Sequence, residues 1–237
     1  MMLEHPRLLS VSAVGGAGLL FIGTFLHPSS ADPNDALAAF TEYADDSTWV
    51  ASHLLQFGGA ALSVAALVLL AISARAAPRA RGVATLGALS AAVSLAVAAA
   101  LQAVDGVALK TMVNLWAAAP PADAAALFYA ALAVRQIEIG LASMGNLAFG
   151  LSAALVGMAL LLDRRFPCLL GVVGIAGGLS LTAAGVVTAY SGFSPVAMSI
   201  ELSAASLLLL WLLVIGVWSL IAAPAGFQAI VTPVHGD

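Results

Sequence analysis

The stretch that decides the fold is residues 122–162, which read ADAAALFYAALAVRQIEIGLASMGNLAFGLSAALVGMALLL. At about 1.5 Å per residue, a helix of this length would extend for about 60 Å, twice the roughly 30 Å of a bilayer's hydrocarbon core. The charged tetrapeptide RQIE at 135–138 interrupts its apolar run. We therefore expect a membrane span over 135–162, preceded by an interfacial helical segment over 122–134.

The charged residues share one face of this helix with two further candidates. At 100° per residue, Arg135, Glu138, Asn146 and Phe149 fall on one side, and leucine, valine and alanine cover the other. Each charge at the centre of a membrane helix costs about 2.5–3.5 kcal/mol, so the charged face should contact protein. Arg135 and Glu138 lie three residues apart and can pair with each other, or they can find partners on other helices.

Composition places the whole chain in the membrane. Hydrophobic residues make up 62% of the 237 residues and charged residues 8%, and the mean hydropathy is +1.06. Soluble proteins have about a quarter of their residues charged. The net charge of −4, without a basic run, argues against nucleic acid as a partner. The single cysteine, Cys168, excludes an intrachain disulfide.

Hydropathy predicts an all-α, polytopic transmembrane helix bundle that occupies residues 1–237 as one domain. Its six spans are expected at about 8–26, 49–74, 82–105, 135–162, 169–189 and 198–221. Most basic residues then fall on one side, which the positive-inside rule makes cytoplasmic: Arg7, Arg75, Arg79, Arg81, Arg164 and Arg165. Both termini are therefore expected in the cytoplasm, and the bacterial cytoplasmic membrane is the expected location.

The remaining polar residues of the spans fall in the outer half of the bilayer in this topology. They are His53, Gln56, Gln102, Asp105, Lys110, Arg135, Glu138, Tyr190 and Glu201. Several aromatic residues share the outer half, among them Trp49, Trp116 and Phe149, either as an interfacial belt or as the lining of a cleft. We expect a polar pocket beneath the outer surface, roofed by the acidic first loop and the connection between spans three and four.

Within this pocket, Asp105 and Lys110 lie 140° apart on an ideal helix, so each needs a partner on another element. A metal site of His53, Asp105, Glu138 and Glu201 is conceivable by ligand type, but no HxxxH or HxxE spacing supports it. One histidine inside the spans also argues against haem. We therefore predict no metal ligand and no cofactor.

In its size, its Ala/Gly/Leu-rich spans and its pattern of His53, Asp105, Glu138 and Glu201, the chain resembles a small family of uncharacterised bacterial polytopic membrane proteins. More distantly, it is similar in size and layout to integral-membrane terpene cyclases of meroterpenoid and indole-terpenoid pathways. That resemblance implies acid-initiated cyclisation of a prenyl chain, with carboxyl groups as proton donors. Those enzymes typically have seven helices, whereas six spans are predicted here.

Three functions fit these residues. As an intramembrane enzyme on an isoprenoid or other lipid-like substrate, the protein would use Glu138 or Glu201 as the acid and Asp105 as its partner. Arg135 and Lys110 would anchor a polar head, and the remaining candidates would line the substrate site: His53, Gln56, Asn146, Trp49, Trp116, Phe149 and Tyr190. The same groups could instead bind a solute or relay protons in a transporter or channel, where a homo-oligomer could supply the missing inner path. In a non-catalytic binding or assembly protein they would only fix helix packing.

Overall fold

The structure, a computed structural model, describes residue 3 and residues 5–221 as helices joined by short loops. The helices are α1 (Pro6–Leu26), α2 (Ala36–Asp45), α3 (Trp49–Ala74), α4 (Arg81–Ala103), α5 (Lys110–Ala117), α6 (Ala124–Leu162), α7 (Cys168–Ser191) and α8 (Pro195–Ile221), with a π-helical turn at Val104–Leu109 that joins α4 to α5. The described residues contain no strand, which confirms the all-α prediction.

Six helical stretches are long and apolar enough to cross a membrane, as predicted. They are Pro6–Leu26, Trp49–Ala74, Arg81–Ala117, Ala124–Leu162, Cys168–Ser191 and Pro195–Ile221. The chain is therefore an integral, multi-pass membrane protein. The cytoplasmic position of the two termini stays a prediction, and residues 222–237 of the predicted domain lie outside the described residues.

The six stretches form a closed ring in chain order. α1 packs against α3, α3 against α4, α4 against α6, α6 against α7, α7 against α8, and α8 returns to α1. An apolar core fills the centre of the ring and includes Leu67, Leu160, Leu208, Trp211 and Ile215. Trp211 completes its packing by donating its indole N–H to the carbonyl of Leu170, 2.8 Å away.

Glycines allow the closest helix contact, which is that between α6 and α7. A Cβ at Gly150 would lie 2.6 Å from the carbonyl oxygen of Gly178, and one at Gly157 would lie 2.7 Å from the backbone nitrogen of Ile175. Small residues let two backbones approach in this way in membrane bundles, where lipid provides little hydrophobic force between helices.

Two of the spans are longer than predicted and together build a cap at one end of the ring. α6 is one continuous helix from Ala124 to Leu162, so the interfacial segment predicted over 122–134 is not a separate element. The third span likewise continues through the π-helical turn into α5. α2 packs on α5, and α5 packs on α6, around a second apolar cluster with Phe40 at its centre. The cap consists of α2, α5 and the first turns of α6, and it covers the polar end of the bundle.

Candidate functional site

A buried histidine and a carboxylate face each other beneath the cap. Nε2 of His53 on α3 lies 3.0 Å from Oδ2 of Asp105 on the π-helical turn. The side chain of Asp105 is 13% exposed, and His53 as a whole is 2% exposed. This contact supplies the partner on another element that Asp105 was predicted to need.

Three features position Asp105 against α3. The indole N–H of Trp49 donates to the backbone carbonyl of Asp105 at 3.1 Å. Trp49 also stacks on the ring of His53, with ring centroids 4.6 Å apart. At the next residue, a Cβ on Gly106 would lie 2.6 Å from the Cβ of His53, so only glycine permits this approach. A π-helical turn within an α-helix is frequent at functional sites, and here it carries the carboxylate.

A second histidine, His27, adjoins this pair from the end of α1. Its ring centroid lies 5.1 Å from that of His53 and 4.9 Å from that of Trp49. Burial lowers the pKa of His27, so its imidazole is neutral near pH 7. One ligand atom from each of His27, His53 and Asp105 lies within 4.8 Å of the others.

The charged pair on α6 forms the adjacent part of the site. Nη1 of Arg135 donates to both carboxylate oxygens of Glu138, at 2.9 Å and 2.7 Å, as the spacing of three residues allowed. The guanidinium also donates to the carbonyl of Pro33 at 3.3 Å and lies over the rings of Tyr43 and Phe193. Burial raises the pKa of Tyr43 to about 12, so its phenol is neutral beside the cation. Glu138 interacts electrostatically with both Asp105 and His53.

Lys110 has a structural role in the cap. Its ammonium donates to the carbonyls of Tyr43, of Ala44 at 3.1 Å and of Asp46 at 2.8 Å. These are carbonyls at the C-terminal end of α2, where a cation complements the helix dipole. The sequence predicted that Lys110 needs a partner on another element, and that partner is the C-terminal end of α2. These contacts give no support to the prediction that Lys110 anchors the polar head of a substrate.

Some of the other predicted site residues lie at the polar end of the bundle, and the rest lie in the central core or at the surface. Gln56 accepts a hydrogen bond from Gln102 at 3.3 Å, and Trp116 packs in the cap. Phe149 packs on the central core. Glu201 interacts with Asn146 away from the His53 pair. Tyr190 is 91% exposed at the end of α7.

An apolar cavity of about 190 Å³ leads from the outer surface of the ring to His53. It lies between α3 and α4, and its walls are Val50, His53, Leu54, Phe57, Ala99, Gln102, Ala103, Gly106 and Val107. Val50, Leu54 and Val107 are exposed on the outside of the bundle. The polar residues of the cavity wall are His53 and Gln102, and the other wall residues are apolar or glycine.

Sequence reasoning missed three contributors to the site. His27 directly follows the first predicted span, 8–26, and was not among the predicted site residues. Tyr43 and Gly106 were not singled out. The available signal was positional, because the end of span one and the start of span two lie on the same side of the membrane, which brings His27 and His53 to one level.

Comparison with known proteins assigns the chain to a family. A family model described as a domain of unknown function (DUF4386) matches residues 8–221. The chain belongs to this family. No curated protein matches it, and no solved structure does. The predicted likeness to an uncharacterised membrane protein family is thus confirmed, whereas nothing in these comparisons supports the likeness to terpene cyclases.

Proposed function

We propose that this protein is an intramembrane enzyme that acts on an isoprenoid or other lipid-like molecule. The observation that carries the proposal is the cavity between α3 and α4, whose walls are mostly apolar and include the buried His53. An apolar pocket with a few convergent polar groups is the usual form of a small-molecule site. Ionisable residues within a membrane bundle likewise mark functional sites.

The size of the cavity suits part of a lipid. Pockets that enclose a drug-sized ligand measure about 300–1,000 Å³, and this one measures about 190 Å³. It would hold the reacting end of a chain, while the rest of the molecule would remain among the lipids along Leu54 and Val107, which are exposed beside it.

The arrangement of carboxyl groups favours acid–base chemistry at a polar group over cyclisation of an alkene. Acid-initiated cyclisation needs a carboxyl group free to protonate carbon. Within the described residues, Asp105 faces His53 and Glu138 faces Arg135. Neither Glu138 nor Glu201 is part of the cavity wall, but Glu138 interacts electrostatically with His53, which is, whereas Glu201 interacts with Asn146. In this proposal His53 contacts the substrate, and Glu138, with Arg135 as its charge partner, is the acid–base group that acts through it.

The proposal is tested by identifying the lipids that copurify with the full chain in nanodiscs. Replacing a general acid–base group slows turnover by about 10²–10⁴-fold, so Glu138→Gln should accumulate one lipophilic species relative to wild type. Ala99→Phe should lose that species, because Ala99 is an exposed residue of the cavity wall.

The matched control is Ala92→Phe, the same change two turns earlier on α4 at an exposed residue outside the cavity. It should behave as wild type. Chromatography–mass spectrometry of the extracted lipids distinguishes the variants. The same bulk phospholipids in all four samples would contradict the proposal.

A further inference from the structure

Three metal-ligating side chains converge where α1, α3 and the π-helical turn meet. His27, His53 and Asp105 each present a ligand atom, and these atoms lie within 4.8 Å of one another. The residues are far apart in sequence, so the convergence is a property of the fold. All three are at least partly buried, unlike the exposed acidic clusters common on protein surfaces.

The hydrogen bonds of the two histidines leave the same ring nitrogen available on each. Nδ1 of His53 lies 2.7 Å from the carbonyl of Trp49, and Nδ1 of His27 lies 2.7 Å from the carbonyl of Pro28. A carbonyl oxygen only accepts, so both Nδ1 atoms carry a proton, and in the neutral imidazole the lone pair is on Nε2. Metal-binding histidines almost always make this second hydrogen bond, which fixes the ring and its tautomer.

Nε2 of His53 faces a carboxylate and not a neutral acceptor. Nε2 and Oδ2 of Asp105 lie 3.0 Å apart, and Oδ1 of Asp105 makes no hydrogen bond within the part of the chain that the structure describes. A carboxylate at this distance suits a positive charge on Nε2, which either a proton or a bound metal ion supplies.

The spacing fits a tetrahedral ion. Ligands about 2.0–2.2 Å from zinc are about 3.4 Å from each other in a tetrahedron. Nε2 of His53 and Oδ2 of Asp105 lie 3.0 Å apart, and the three ligand atoms all lie within 4.8 Å of one another, which is compatible with this value. Small rotations of side chains would complete the geometry.

We propose that His27, His53 and Asp105 bind one divalent transition-metal ion, with Zn²⁺ as the best match to two imidazoles and a carboxylate. Hard ions such as Mg²⁺ and Ca²⁺ prefer oxygen ligands throughout. Three protein ligands leave a coordination position open, as in catalytic zinc sites. The ion would serve the enzyme proposed above, so its catalytic role rests on that proposal, whereas its binding does not.

The surrounding charges also favour a cation. Asp105 and Glu138 are both buried or nearly so and interact with each other. They share one guanidinium, that of Arg135, which is paired with Glu138. With both imidazoles neutral, the cluster therefore carries one excess negative charge, which a divalent ion would offset.

The test is the metal content of the full chain, purified in detergent without a polyhistidine tag. Elemental analysis should find one first-row transition-metal ion per wild-type chain. His27→Gln and Asp105→Asn should lose it, because each removes a metal ligand. Each replacement is similar in size to the original side chain, so the packing should be preserved. His5→Ala is the matched control, since His5 is exposed at the other end of α1, and it should retain the ion.

A second measurement tests for the site even when the ion is lost during purification. Zn²⁺ alone, added to metal-stripped protein, should raise the melting temperature of wild type and of His5→Ala. Affinity should fall at least about 100-fold in the two ligand variants. Circular dichroism and gel filtration show whether those variants remain folded. A wild type without metal and without a Zn²⁺ response, or equal responses in all four proteins, would overturn the proposal.

These results separate the two proposals. A bound ion together with unchanged lipids in Glu138→Gln supports the metal site and contradicts the enzyme. Lipid accumulation in Glu138→Gln from a chain that never binds metal supports the enzyme and overturns the metal site.

Discussion

Where α6 crosses α7, a Cβ at Gly178 would lie 2.5 Å from the backbone nitrogen of Ala154. Where the π-helical turn crosses α3, a Cβ at Gly106 would lie 2.6 Å from the Cβ of His53. Both glycines permit a contact that no other residue would allow. The first brings two apolar helices together, whereas the second brings a backbone against a buried imidazole.

The difference shows which part of the molecule packing alone explains. The centre of the ring is apolar, and its close helix contacts are sufficient reason for its glycines. The polar end buries Arg135 and Glu138 as well as His53. Replacing buried ion pairs with apolar residues is often neutral or stabilising, so stability does not account for this end. A function does.

The largest expected effect comes from breaking the charged pair at the polar end. Arg135→Met should lower the free energy of unfolding by about 3–5 kcal/mol, because it leaves the carboxylate of Glu138 buried without its partner. Adding Glu138→Gln should recover most of this loss. Equilibrium unfolding in detergent measures both. If the single variant is as stable as the double variant, the pair is not buried in the way described.

A smaller loss is expected from Gly178→Ala at the apolar contact. The added methyl meets backbone atoms of α6 that cannot move independently, so we expect a loss of about 3 kcal/mol, the upper part of the range for overpacking. Gly140→Ala is the matched control, because no atom of the described residues lies within 4 Å of a Cβ there. Melting temperatures of the two variants should differ clearly; equal values would refute the close contact.

Gly106→Ala makes the same change at the polar end. It should cost about 2 kcal/mol of stability, less than Gly178→Ala, because the added methyl meets one atom closely, the Cβ of His53, whereas at Gly178 it meets two backbone atoms. It should also weaken Zn²⁺ binding by about 10–100-fold, as changes around metal ligands do. Gly178→Ala should leave the affinity unchanged. A Zn²⁺ titration followed by melting temperature compares the two.

The smallest effect is expected from Lys110→Met in the cap. Loss of the cation at the end of α2 should lower the free energy of unfolding by about 1 kcal/mol. The amides of α2 should exchange hydrogen faster than in wild type, whereas those of α3 should exchange as in wild type. Lys110→Arg should preserve protection, because it keeps a positive donor at this helix end. Hydrogen exchange with mass spectrometry measures the effect, and unchanged exchange in Lys110→Met would count against the capping role.

Sequence patterns predicted the helices better than their contacts. Hydropathy predicted the second span over 49–74, and α3 runs over Trp49–Ala74. The spacing of Arg135 and Glu138 indicated their pairing. The rotation of α7 about its axis is not determined by composition, so Tyr190 was expected in the site and is exposed. The π-helical turn at Val104–Leu109 has no sequence signature, and it brings Asp105 to His53. His27 could be recognised as a candidate only once the helix pairing was known.

The most direct test of the functional polar end is native mass spectrometry of the full chain released from nanodiscs. Wild type should carry one divalent metal ion and one lipophilic molecule distinct from the bulk phospholipids. Asp105→Asn should lose the ion, and Ala99→Phe should lose the lipophilic molecule while keeping the ion. Wild-type protein that carries neither, in spectra that match those of both variants, would contradict the account and leave the polar end as packing alone.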